Sequence, residues 1–251
     1  VSLSTTAMLQ SFKLSAMIRD CVWHCEANVL VSLHESQQSL SLWLYPKVVF
    51  VDSSLLQDSI LDINSDQLAA SSSCIVECTG NQLIVLRADN VKVYIPISPF
   101  VSWLHKLKRG ARWQEAVKMC NFLTKSAATQ VESIDRNLCN ALWAALAAMT
   151  LDAKEFAVAE IAYAAINKLD KVLYLNRIKQ LPLSEAASAE LELMSGNVES
   201  AERFFIQKGF ILRAVILNLE LFQWKRALEL AQKYDRRFKS ITINISGLGE
   251  H

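Results

Sequence analysis

The sequence is short of glycine and proline, with six and four in 251 residues, which excludes collagen-like and low-complexity chains. It is equally short of net charge. Its 26 basic and 25 acidic side chains leave +1, so no general electrostatic field steers the chain to nucleic acid or to an anionic membrane. Long apolar runs are missing too. In the second half the longest is Ala141 to Met149, nine residues, against the roughly 20 that span a bilayer. A soluble protein with no direct membrane insertion is expected. The first twenty residues, with Lys13 and Arg19 among serines, lack the basic start and apolar run of a signal peptide. Six cysteines are too sparse for a disulfide framework; several sit in apolar segments, where a thiol packs as a small hydrophobe. A reducing cytosol fits them best.

What is present is 52% hydrophobic side chains, enough to build a core. Charge divides unevenly, with five basic and nine acidic residues in the first hundred and 21 and 16 after them, which suggests two units. Before residue 100 the apolar residues come in short valine- and isoleucine-rich runs, the strand signal. The expected strands are Ile18 to Trp23, Val29 to Ser32, Ser39 to Tyr45, Val48 to Val51, Cys74 to Cys78, Gln82 to Arg87 and Val91 to Ile97. Gly80-Asn81 and Asp89-Asn90 fall between the last three, where hairpin turns need residues that tolerate positive φ.

After Pro96 and Pro99 alanine and leucine dominate and apolar residues recur at three and four, the helical period. Helices are expected near 100–108, 112–125, 134–150, 153–168, 170–181, 184–195, 197–207, 210–221 and 223–234. Ser184 reads as an N-cap, and Gly196 and Gly209 as left-handed helix ends. A large apolar residue precedes alanine by three in Trp113/Ala116, Phe156/Ala159, Val198/Ala201 and Trp224/Ala227. Ala201, Ala214 and Ala227 are thirteen residues apart; Ala116, Ala159 and Ala201 are separated by 43 and 42. Small residues at helix crossings with short turns describe stacked helical hairpins of the tetratricopeptide kind. An irregular bundle is the alternative, because a strict ~34-residue register is missing. On the stacked reading, Ala159→Trp overpacks a crossing. Ser126 to Asn137 reads as a lengthened, mobile connection, and 240–251 as an irregular tail.

The run Ile18-Arg-Asp-Cys-Val-Trp-His-Cys, then Leu40-Ser-Leu-Trp-Leu-Tyr-Pro46, is laid out like a WD-type propeller blade. Gly80-Asn-Gln-Leu-Ile-Val-Leu-Arg-Ala-Asp89, Trp113-Gln-Glu-Ala-Val-Lys-Met-Cys120, Leu142-Trp-Ala-Ala-Leu-Ala-Ala-Met149, Ala159-Glu-Ile-Ala-Tyr-Ala-Ala-Ile166, Asp170-Lys-Val-Leu-Tyr-Leu-Asn176 and Trp224-Lys-Arg-Ala-Leu-Glu-Leu-Ala231 follow. In order and spacing, residues 12–235 resemble the carboxy-terminal part of the family of the 80-kilodalton WD-repeat subunit of the intraflagellar transport B complex. The chain departs from that family at 1–11, at 126–140 and from Phe238 on. The resemblance implies a unit at 12–100 made of about two propeller blades, a helical-repeat region at 101–239, and unmatched segments at 1–11 and 240–251. It also implies a non-enzymatic scaffold at the cilium, its base and the cytoplasm, bound to other B-complex subunits and indirectly to a kinesin motor. The altered tail argues against self-association through that end. A membrane-coat subunit of propeller-plus-solenoid plan is the alternative. Closing a propeller takes about four to eight blades, so residues 12–100 cannot close one. The chain then reads as a fragment of a longer product, with a strand edge left open and poor solubility expected for 1–100 alone.

No catalytic, cofactor-binding or metal-ligating residue emerges, and no cofactor is expected. Nucleophile-elbow, P-loop and zincin-helix motifs are missing. His24, His34, His105 and His251 read as surface or strand-packing residues. Cys21-x-x-x-Cys25, with His24 between, is echoed by Cys74-x-x-x-Cys78. Residues four apart on a strand lie about 13 Å from each other, whereas two thiolates on one zinc are at most about 4.6 Å apart. Only bringing the two pairs together on neighbouring strands could rescue a site. Trp43, Trp113, Trp143 and Trp224 read as core, and the basic runs Lys106, Lys108, Arg109, Arg112 and Arg236, Arg237, Lys239 as solvated faces.

Overall fold

The computed structural model describes residues 17–34, 39–64, 74–87, 89–129, 135–181 and 184–234. Its elements divide between two compact units, one holding 1–46 and 57–146, the other 47–56 and 147–251. The secondary structure changes from strand to helix at residue 99, whereas the units divide later, inside a helix.

Among its described residues the first unit carries two antiparallel sheets. One has β1 (Ile18–Trp23), β2 (Leu30–His34), β3 (Ser39–Trp43) and β4 (Ile60–Asn64) in the order β1-β2-β3-β4; the other has β5 (Cys74–Thr79), β6 (Gln82–Leu86) and β7 (Lys92–Pro96) in the order β5-β6-β7. Along β7 the burial alternates, with Val93 and Ile95 inside and Lys92 and Tyr94 outside, as a half-covered sheet demands. Gly80 turns β5 into β6 at φ +54°, and Thr79 pairs with Gln82, so glycine holds the first central position of a two-residue hairpin as expected. Asn90 takes φ +61° and donates its N–H to the Arg87 carbonyl, closing the next hairpin.

One strand expectation fails, and one strand was not expected. Val48–Val51 is a one-turn helix, α1, followed by a 3-10 turn at Ser53–Leu55. Its β-branched letters suit a strand, but Val48 and Leu55 are each fully buried, and the Asp52 carboxylate accepts the Ser54 N–H at 3.0 Å. Burial and a side-chain cap override propensity there. Strand β4 was missed because Asp62 and Asn64 interrupt its apolar letters; among the described side chains of β4 only Leu61 is buried.

The helices follow the expected set: α2 (Pro99–Arg109), α3 (Trp113–Thr129), α4 (Arg136–Asp152), α5 (Phe156–Ala165), α6 (Leu169–Lys179), α7 (Ser184–Met194), α8 (Val198–Gln207), α9 (Ile211–Glu220) and α10 (Trp224–Tyr234). Residues 126–129 and 136–137 are helical, which shortens the expected connection; its middle, 130–134, lies outside the described residues, as does the expected tail. From Ala141 to Leu151 every residue of α4 is buried, the mark of a helix covered all round. Among the described residues no helix is long and apolar enough to cross a membrane.

The repeat is sharper in the structure than in the sequence. Ala116, Ala159, Ala201, Ala214 and Ala227 are all at 0% exposure. Each stands three residues after the first residue of its helix and donates its N–H to the carbonyl just before that helix, from Arg112, Glu155, Asn197, Phe210 and Gln223. Two residues before each of these helices, and before α6, lies a left-handed residue: Ala111, Lys154, Asn167, Gly196, Gly209 and Phe222. At all six places that residue donates to the carbonyl three back, and the next residue to the carbonyl five back, as Gly209 to Ile206 and Phe210 to Phe205. This is the Schellman closure, so one turn design starts six helices. In the second unit Lys154 and Asn167 are thirteen residues apart, as are Gly196, Gly209 and Phe222. The unit is an α-solenoid of tetratricopeptide-like hairpins, with Ala201, Phe205, Ala214, Leu217 and Ala227 in one core cluster.

Only two of the six left-handed residues are glycine. Gly209→Ala is expected to cost about 1 kcal/mol through its positive φ, and Lys154→Gly to raise stability by roughly 0.5 kcal/mol, since relieved strain exceeds the added chain entropy. Urea midpoints of the two variants should therefore move in opposite directions.

Candidate interaction surfaces

Part-buried polar chains in the first unit tie neighbouring strands of one sheet together. The Trp43 indole N–H donates to Ser32 Oγ at 3.1 Å, His34 Nε2 lies 2.6 Å from Ser41 Oγ, and Ser41 Oγ donates to Asp62. A histidine, a serine and an aspartate in a row invite a hydrolase reading. Their order forbids it, because the serine sits in the middle and the carboxylate meets the serine rather than the imidazole, leaving no base oriented to take the serine proton. Trp43 is half-buried; Trp143 is buried and donates to Thr124 Oγ1 at 3.0 Å; Trp113 and Trp224 are half-buried, less enclosed than expected.

His24 and His105 are buried rather than on the surface. His24 Nδ1 accepts the N–H groups of Glu26 and Ala27, both at 3.0 Å, so Nε2 carries the proton and donates to the Gly80 carbonyl at 2.9 Å. His105 belongs to α2, not to a strand, and donates from Nε2 to the Leu44 carbonyl at 2.8 Å. His251 lies outside the described residues.

In the last turn of α2, Lys106 and Arg109 are exposed where cations favour a helix C-terminus. Lys108 turns inward instead, donating to Tyr45 Oη at 2.6 Å with its ammonium 4.1 Å from that ring's centroid. Arg112 pairs with Glu115 at 3.3 Å. Arg236, Arg237 and Lys239 lie outside the described residues. Cys21 on β1 and Cys25 in the bend after it come beside β5, which carries Cys74 and Cys78, yet among the described residues no group of three or more His, Cys, Asp or Glu could hold a metal ion.

The second unit offers a groove of about 440 Å³ lined by Lys171, Tyr174, Met194, Arg213, Leu217 and Glu220, among others. Lys171, Arg213 and Glu220 among its charges are held in ion pairs. Arg213 meets Glu190 at 2.6 Å and Glu220 at 3.2 Å, and the Tyr174 hydroxyl donates to Glu190. Burial pushes the Glu190 carboxyl up, but Arg213 and Tyr174 together hold it below its ordinary value. Burial, and then Glu190, raise the Tyr174 phenol. Nearby, Arg226 meets Glu202 at 2.6 Å and Asn218 Nδ2 donates to Glu202 at 2.9 Å. Such a groove presents shape and fixed dipoles rather than a poised acid, base or nucleophile. Apolar residues also face solvent, notably Leu169 and Leu173 on α6, Leu212 and Ile216 on α9, and Phe222. Sequence reasoning missed them because i, i+4 leucines read equally as core.

Two family models match the chain in order. Residues 1–100 match the IFT80 second beta-propeller, and residues 142–243 match the TPR domain of IFT80, IFT172, WDR35 and WDR19. The chain is 35% identical over 225 residues to the intraflagellar transport protein 80 homolog of Rattus norvegicus, covering 90% of this chain and 27% of that protein. Both parts of the chain are thus similar to IFT80. The Mus musculus homolog is 34% identical over the same length, and the Drosophila melanogaster intraflagellar transport protein 172 homolog 29% over 111 residues, 39% of this chain and 6% of that one. The chain spans about a quarter of the length of the IFT80 relatives. The resemblance read from the motifs is borne out, as is the plan of propeller blades followed by a tetratricopeptide-like solenoid.

Proposed function

We propose that the chain is a non-enzymatic scaffold of the intraflagellar transport B complex, supporting kinesin-driven anterograde transport and cilium assembly through protein–protein contacts. It acts at the cilium, the ciliary base and in the cytoplasm. The observation that carries this reading is the succession of an IFT80-type propeller segment and an IFT80-type helical repeat in one chain. A helical stack with mutually paired charges supports binding over chemistry, since recognition needs complementary surface and no perturbed nucleophile. The test is capture of the full chain from ciliated cells followed by mass spectrometry. Ala159→Trp is the control, because a fully buried alanine leaves no room for an indole; overpacking costs ~1 to 3 kcal/mol. Recovery of B-complex subunits by the native chain and not by the control is expected. A folded native chain that recovers none of them overturns the assignment.

A further inference from the structure

We propose that Cys25 and Cys78 form a redox-modification site, a thiol pair that closes to a disulfide between the two sheets of the first unit when a low-molecular-weight disulfide such as glutathione disulfide is present. The two sheets meet along β1 and β5. There Asp20 Oδ2 accepts the Ile75 N–H at 2.7 Å, Cys25 donates its N–H to the Cys78 carbonyl at 3.2 Å, and His24 Nε2 donates to the Gly80 carbonyl at 2.9 Å. A direct N–H to carbonyl bond of that length holds the two Cα atoms roughly 5 to 6.5 Å apart, inside the range of about 4.4 to 6.8 Å that a disulfide spans. The bend at 25–28 that presents Cys25 is fixed by His24, whose Nδ1 accepts from Glu26 and Ala27. The pair is therefore held at bridging distance by three hydrogen bonds between one imidazole and the backbone and by one direct peptide contact.

The two thiols differ in access. Cys25 is exposed and Cys78 is at 1% exposure, which assigns their order of reaction. The Cys25 thiolate attacks glutathione disulfide, forming a Cys25–glutathione mixed disulfide and releasing one glutathione thiolate. The Cys78 thiolate then attacks the Cys25 sulfur, forming the Cys25–Cys78 bond and releasing the second glutathione. Two protein thiols are oxidised, one glutathione disulfide is reduced to two thiols, and reduced glutathione reverses both steps. Burial, and then Cys25, push the Cys78 thiol up to about 11, so the closing step is slow at neutral pH and quickens about tenfold per pH unit until Cys78 ionises. Such a bond in a reducing compartment is transient rather than structural.

The full chain is incubated with glutathione disulfide and read by intact mass and by peptide mapping without reductant. Loss of two hydrogens with a Cys25–Cys78 cross-linked peptide is expected. Cys21→Ser and Cys74→Ser keep the cross-link, Cys25→Ser abolishes it, and Cys78→Ser or Cys78→Ala stops at the mixed disulfide on Cys25. Circular dichroism confirms that each variant is folded. The proposal is overturned if wild-type chain accumulates the Cys25 adduct without closing between pH 7 and 9, if the bridge uses Cys21 or Cys74, or if the closing rate does not rise with pH.

Discussion

Replacing Asp52 by alanine is expected to destabilise the helical unit by roughly 2 to 4 kcal/mol. Asp52 is at 1% exposure in the segment of 47–56 that belongs to that unit. Its carboxylate accepts from the Tyr163 hydroxyl at 2.7 Å, from Lys171 Nζ at 3.2 Å, and from the Ser54 N–H and Oγ at 3.0 and 2.7 Å. Alanine leaves a buried phenol without an acceptor, an ammonium without a counter-ion and a 3-10 turn without its cap. Burial, and then Asp52, raise the Tyr163 phenol far above its ordinary value, so at any accessible pH it is a donor that needs this acceptor. Tyr163→Phe removes one donor and leaves the rest intact, for about 1 kcal/mol. The double variant should cost less than the sum of the two. Urea unfolding followed by helical circular dichroism measures all three. Strict additivity would mean that the phenol and the carboxylate do not depend on each other.

Acid should weaken the first unit through His105. Burial, followed by Lys108, Arg109 and His24, lowers this imidazole from 6.5 to about 4, against the opposing pull of the Leu44 carbonyl. Between those two values the unfolded chain binds a proton that the folded chain does not. Stability is therefore complete above pH 6.5 and falls as pH drops towards 4, by about 1.4 kcal/mol per pH unit and roughly 3 kcal/mol in all. His105→Gln keeps a donor for Leu44 but cannot titrate, so its urea midpoint should vary less between pH 7 and 4.5. Equal slopes for wild type and variant would assign the acid sensitivity to other groups.

Among the described residues, the nine helices from Pro99 on were legible because alanine and leucine at three and four leave one period open, and Gly196 and Gly209 mark ends only a left-handed residue can make. The other left-handed positions were not legible. Ala111, Lys154, Asn167 and Phe222 carry no glycine signal, and their conformation goes with the hydrogen-bonded closure of the preceding helix. Strand Val48–Val51 was misread for a related reason: a four-residue β-branched run is decided by what buries it, here the helical unit, about a hundred residues away in sequence. The cysteine pairs were seen but their relation was not. Equal spacing in the two pairs is visible as letters, whereas the Cys25 to Cys78 peptide contact is a property of how β1 and the bend after it lie along β5.

The thirteen-residue turn constrains how the chain can change in length. A helix advances about 100° per residue, so one residue inserted into α8 or α9 would swing every later position round the axis and turn Ala214 or Ala227 out of its crossing. Adding or removing a complete helix with its left-handed corner leaves the rotation unchanged. Such a stack can grow or shrink in whole modules but resists single-residue indels within a helix, and its length diversity should be quantised accordingly.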